Sequence, residues 1–211
     1  MTPTKAKSAS RLNKGGRFRS DAGFSLVELL VVLALLIILT VMGTSRFSAS
    51  ARRKGLAACQ LNLQKVYLAL SIYRSDNGAF PSSKDASKSE EPLSLLIPKS
   101  TTTTEIFICP GSRDDALPEG VRFTDRRISY AYYMDQATNT DPPEILVTDW
   151  QINTAPKHRG QPVFSLDGKK PGNNHYGSGG NLLSIDGNIA SSPAKASRDL
   201  LFSPPVTLLN P

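Results

Sequence analysis

Few of the 211 residues can do chemistry, and their spacing narrows which chemistry is open. The chain holds two cysteines, Cys59 and Cys109, and two histidines, His158 and His175. Cysteines this far apart form neither a CxxC redox pair nor a zinc cluster of four closely spaced ligands. No GxSxG, Walker loop, GxGxxG or HExxH occurs, so the motif scan predicts that the chain is not an enzyme. His175 and Asp186-Gly187 share a Gly- and Asn-rich region, and a His with an Asp can make a catalytic or metal pair. Against that, a His in such a loop is more often an ordinary hydrogen-bonding residue, and Asp-Gly more often a turn.

Glu28 is the remaining group that calls for a chemical account. From Phe24 to Gly43 the sequence reads FSLVELLVVLALLIILTVMG, with Glu28 as its one charge, and about 20 apolar residues is the length a helix needs to cross a bilayer. A carboxylate there costs roughly 2.5 kcal/mol or more unless it is paired or reaches the interface. Residues 1–22 carry Lys5, Lys7, Arg11, Lys14, Arg17 and Arg19 against Asp21 alone, so much of the formal charge of +7 sits at the front. That removes the main support for a nucleic-acid partner. It also predicts a cytoplasmic leader, a single pass and a part beyond the span that is periplasmic or extracellular, while Arg46, Arg52, Arg53 and Lys54 add some opposing charge.

A secretory signal has its small-residue cleavage site after the apolar run, whereas Gly23 lies before it. The string Gly23-Phe24-Ser25-Leu26-Val27-Glu28-Leu29-Leu30 resembles the class III signal of type IV pilins and type II secretion pseudopilins. The resemblance implies cleavage after Gly23 by a prepilin peptidase, N-methylation of Phe24, and pairing of Glu28 with the N-terminal amine of a neighbouring subunit. Gly43, Thr44 and Ser45 stand where many members have a helix-loosening proline.

The elements follow from periodicity. Leu56, Cys59, Leu63, Val66, Leu70 and Tyr73 recur at helical spacing, predicting one buried helix face, with Arg52, Arg53, Gln60, Gln64 and Lys65 on the solvated or subunit-facing side. Asp76-Asn77-Gly78 and Pro81 end the helix near residue 76, and residues 82–91 read as an exposed loop. Beyond residue 100, Ile106–Ile108, Ile128–Met134 and Ile145–Val147 read as strands, with positions 128, 130, 132 and 134 as the buried face of a half-buried strand. Asp186-Gly187 between apolar runs predicts a tight hairpin. The fold class is α+β: a long N-terminal helix, half membrane-spanning and half soluble, packed on a C-terminal antiparallel sheet with long loops. The expected divisions are a leader at 1–23, a transmembrane helix at 24–44, a stalk helix at 45–76, a variable loop at 77–100 and a β-rich region at 101–211.

On the far side of a membrane Cys59 and Cys109 can be oxidised, and Cys109 ends an apolar run that should pack on the helix face bearing Cys59. Two readings stand: a disulfide, or two small buried apolar side chains.

Residues 59–81 also resemble the major pseudopilin of type II secretion, and His175 with Asp186-Gly187 is similar to the H-x9-DG segment of a prepilin-type group, although ten residues separate them here. These resemblances imply a structural subunit of a type II secretion pseudopilus, anchored by a single pass in the inner membrane with its C-terminal domain periplasmic, or alternatively a type IV pilin for adhesion, motility or DNA uptake. From another class, a membrane-anchored enzyme would use His175 and Asp186. Implied partners are prepilin peptidase, copies of the chain and related pilins or pseudopilins, an inner-membrane assembly platform and membrane lipid, with no nucleic acid. Two readings of the cofactor stand: none, or calcium, for which Asp167 and Asp186 are the candidate ligands by their chemistry and not by alignment.

Overall fold

The protein is represented by a computed structural model that describes residues 24–112, 114–115, 117–123, 127–137 and 144–211, without the side chains of residues 41–52. The processing site at Gly23 and the leader before it lie outside the described residues. The chain divides into a unit of residues 1–44 and a unit of residues 45–211.

One long helix, α1 (Leu26–Asn77), begins in the first unit and ends in the second. In the first unit its apolar side chains from Leu26 to Leu39 are exposed, and Phe24 just before it is 77% exposed. Among the described residues no helix is long and apolar enough to cross a membrane. The expected transmembrane helix at 24–44, and the single-pass inner-membrane placement built on it, are therefore corrected.

In the second unit α1 buries Cys59, Leu63, Val66, Ala69 and Leu70, one stripe at helical spacing, while Leu61 and Leu68 stay exposed. Gly78 stops the helix: it takes φ +78°, which lets its N–H bond the Arg74 carbonyl at 2.8 Å. Next come a short helix, α2 (Glu90–Leu93), and 3-10 turns at Ser94–Leu96 and Thr104–Phe107. The strand expected at 106–108 is thus largely a turn. The loop expected to be exposed instead tucks Ser89 and Glu90 into the core, with Ser89 Oγ donating to the Tyr130 carbonyl at 2.8 Å.

Five strands follow: β1 (Tyr130–Met134), β2 (Ile145–Asp149), β3 (Gly180–Ser184), β4 (Ile189–Ser192) and β5 (Thr207–Leu209). They form one antiparallel sheet in the order β4-β3-β2-β1-β5. β3 and β4 make a hairpin at Asp186-Gly187, where Gly187 has φ +86°.

Side-chain alternation along β1 decides how the core is built. Tyr130, Tyr132 and Met134 face the α1 stripe, together with Leu146, Leu183 and Leu209. Ala131 and Tyr133 face the other way, into a second cluster with Val163, Phe164, Leu200 and Leu208. All of β1 to β3 is buried, so the half-buried strand expected at 128–134 is corrected to a strand covered on both faces. The cover on the second face is the irregular chain after β2, which is too rich in Gly and Pro for periodicity to reveal.

Candidate metal centre

Four side chains from four separate parts of the second unit meet inside it. Cys59 comes from the buried stripe of α1. Cys109 follows the 104–107 turn and is fixed by the Ser112 N–H, which bonds its carbonyl at 2.9 Å, and by the Gly111 N–H, which donates to its sulfur at 3.3 Å. Asp149 ends β2, opposite Tyr130 of β1. His175 lies in the Gly/Asn-rich loop before β3, where turns close from Tyr176 N–H to Asn173 and from Ser178 N–H to His175 itself. The ligand atoms of these residues all lie within 4.8 Å of one another, and all four residues are buried.

Asp149 is the hub. Its Oδ1 accepts from the Asn174 amide at 2.9 Å and from the Cys59 thiol at 3.3 Å. Its Oδ2 accepts from the Asn181 backbone N–H at 2.7 Å and lies 3.2 Å from His175 Nε2. The same Nε2 is 3.4 Å from Cys109 Sγ, and Tyr130 Oη lies 3.3 Å from Cys59 Sγ. The Asn174 amide also donates to the Ser129 carbonyl at 2.7 Å, which fixes the residue before His175.

Burial and pairing set the charges. Burial works to raise the Asp149 carboxyl, but the bond from His175, its positive charge, the Asn174 amide and the Asn181 N–H outweigh it and hold the group below its ordinary value. Burial likewise works to lower His175, yet its partners, Asp149 foremost, push it up to about 10. Desolvation raises the Cys59 thiol and the Tyr130 phenol.

The arrangement discriminates between two chemistries. A Cys–His–Asp nucleophile system places thiol and carboxylate on opposite ring nitrogens, so that the acid orients the base toward the sulfur. Here one nitrogen, Nε2, faces both. Convergence of two sulfurs, one imidazole nitrogen and one carboxylate on a common point is instead the donor set of a transition-metal site. Tetrahedral Zn²⁺ with bonds of ~2.0–2.3 Å has ligand–ligand edges of roughly 3.3–3.8 Å. Two separations about His175 Nε2, 3.4 Å to Cys109 Sγ and 3.2 Å to Asp149 Oδ2, lie at or just below that range, while Cys59 Sγ approaches the other Asp149 oxygen at 3.3 Å and all four donors stay within 4.8 Å.

Several expectations change. His175 pairs with Asp149 and not with Asp186, which is exposed and caps its own turn through the Asn188 N–H at 3.0 Å. Asp167 is also exposed and accepts from Ser165 Oγ and the Lys169 N–H within its own loop. The calcium expectation is corrected: a hard cation needs six to eight oxygens, whereas this cluster is half sulfur and points to a transition-metal-type site. Cys59 and Cys109 are free thiols brought into one cluster. Gln60, expected on a solvated face, donates to Ser191 Oγ of β4 at 2.9 Å. Glu28 is exposed in the first unit.

Residues 18–44 match the family described as the prokaryotic N-terminal methylation motif. The N-terminal region therefore carries such a motif, consistent with a prepilin- or pseudopilin-type signal. No curated protein and no solved structure matches the chain. The expected role as a filament subunit anchored in the inner membrane is corrected: among the described residues no helix is long and apolar enough to cross a membrane, and the second unit holds a buried Cys/Cys/Asp/His cluster of the kind found in active sites. The same cluster overturns the expectation that the chain is not an enzyme, since a set of this kind serves metal-binding and catalytic sites alike and has no sequence motif for a scan to detect.

Proposed function

We propose that this is a metal-binding protein whose second unit holds a transition-metal ion, with Zn²⁺ the best fit, on Cys59, Cys109, Asp149 and His175. The observation that carries the reading is the convergence of four buried donors within 4.8 Å. Four protein ligands fill a tetrahedral shell and leave no position for a bound water, as in sites where the metal stabilises the fold. The Asn174 amide and the Asn181 N–H would orient Asp149 from outside that shell. Titration of the reduced protein with Co²⁺ tests this. A 1:1 complex with sulfur-to-cobalt charge-transfer absorption, lost in Cys59→Ser and displaced by Zn²⁺, is the expected result. Absence of those bands in folded, reduced protein would overturn the reading.

We also propose that the chain is processed between Gly23 and Phe24 by a prepilin peptidase and N-methylated on Phe24. The support is the methylation motif over residues 18–44. Mass spectrometry of the mature N-terminus should find N-methylated Phe24. A different first residue would refute it.

A further inference from the structure

Resting on the metal-centre reading, we infer that Cys59 and Cys109 are a thiol–disulfide switch that governs occupancy of the site. They are the only cysteines in the chain, they supply both sulfur ligands, and their sulfurs lie within 4.8 Å. Cys59 sits within the long helix α1 and Cys109 on a turn closed by the Ser112 N–H, so the turn is the element we expect to move to close the remaining gap. A disulfide has an S–S bond of about 2.0 Å, and its sulfurs are no longer thiolates. One pair of sulfurs therefore serves either the metal or the bond, and oxidation removes half of the ligand set.

The oxidant is a small-molecule disulfide. One protein thiolate attacks a sulfur of that disulfide, forms a mixed disulfide and expels the first small thiolate. The second protein thiolate then attacks the protein-side sulfur, forms the Cys59–Cys109 bond and expels the second. The two cysteines are oxidised by two electrons, the small disulfide is reduced to two thiols, and the ion leaves to solvent. Cys109 adjoins Pro110, Gly111 and Ser112, which line a cleft of about 210 Å³ with Gly55 of α1 and His175, but both cysteines are buried, so the 109–112 turn has to open before either thiol attacks. The bound ion in turn protects the thiols. If only metal-free protein reacts, free metal at a hundred times Kd slows oxidation roughly 100-fold.

The test uses the full chain, reduced, loaded with Zn²⁺ and exposed to glutathione disulfide. Released zinc is read with a chromophoric chelator, and the bond by non-reducing peptide mass spectrometry. One zinc released per Cys59–Cys109 bond, reversed by dithiothreitol and added zinc and slowed by excess zinc, is the expected result. Cys109→Ser should show neither the bond nor stoichiometric release, and circular dichroism checks that it folds. Zinc retained after the bond forms, or no bond in metal-free folded protein, overturns the switch and leaves the metal centre standing. Reduced protein that takes up no zinc before oxidant is added overturns the metal centre itself, and the switch with it.

Discussion

A methyl group at Gly111 would lie 2.6 Å from His175 Nδ1 and 2.7 Å from the Asn174 carbonyl oxygen. Real Cβ atoms do not approach that closely, so Gly111 lacks a side chain where the imidazole needs the space. Gly111→Ala should push His175 out of the cluster and lower metal affinity by roughly 10- to 100-fold, the range seen when support around a ligand is lost. At Gly55 the same methyl would meet its neighbours at 3.6 to 3.8 Å, ordinary contact, so Gly55→Ala should leave affinity nearly unchanged. Competition titration against a chelator of known affinity compares the two. A second residue-scale prediction concerns Glu90, which is buried with one carboxylate oxygen lacking a hydrogen-bond partner. Burial raises its pKa above the ordinary value, so the folded state resists ionisation. Its contribution to stability is most favourable at low pH and is lost as pH rises from the unfolded pKa through the folded one. Glu90→Gln should be more stable than wild type near neutrality by about 1 kcal/mol, and the difference should vanish below about pH 4. Urea denaturation across pH measures it.

The helix–sheet seam carries the second unit at the scale of elements. Leu63 is fully buried in the stripe that α1 lays on the sheet, and Leu63→Ala should destabilise by about 3 kcal/mol. Leu68, 62% exposed on the same helix, should tolerate alanine within about 0.5 kcal/mol. Denaturation midpoints separate the two. The β3–β4 hairpin docks on the helix with equal specificity, since a methyl at Gly187 would lie 2.6 Å from the Tyr67 ring. This seam was readable from the sequence: periodicity places Cys59, Leu63, Val66 and Leu70 on one face, and Asp-Gly marks the hairpin. The metal centre was readable only in part. Cys59, Cys109 and His175 stand out by residue type, but Asp149 looks like the polar end of an apolar strand. It joins the cluster because β2 sets it opposite Tyr130, toward the α1 stripe that bears Cys59, and the loop before β3 brings His175 beside it. Asp186 drew attention by lying close to His175 in sequence, whereas the turns at 173–178 direct the ring toward β2. Tertiary pairing across an irregular loop leaves no periodic trace.

At the scale of the whole molecule, the four side chains of the cluster come from a helix, a turn, a strand and a loop, spread over residues 59 to 175, so the set exists only in the folded second unit. An ion bound there stabilises the native state by mass action, and weak binding to the unfolded chain subtracts little. At free metal a thousand times Kd the gain is about 4 kcal/mol. For a unit of this size each kcal/mol shifts Tm by roughly 2–4 °C, so a strong chelator should lower Tm by about 8–16 °C. The loss should be largest around the ligands, loosening residues 108–112 and 173–178 before the α1 stripe, whose apolar packing does not depend on the ion. Calorimetry with and without chelator measures the first effect, and amide hydrogen exchange locates the second. Equal Tm values in reduced protein, loaded and stripped, would show that the cluster is a buried hydrogen-bond network without an ion. In that case Asp149 and His175 hold the sheet to its loops as an ion pair, and Asp149→Asn should destabilise stripped and metal-supplemented protein alike.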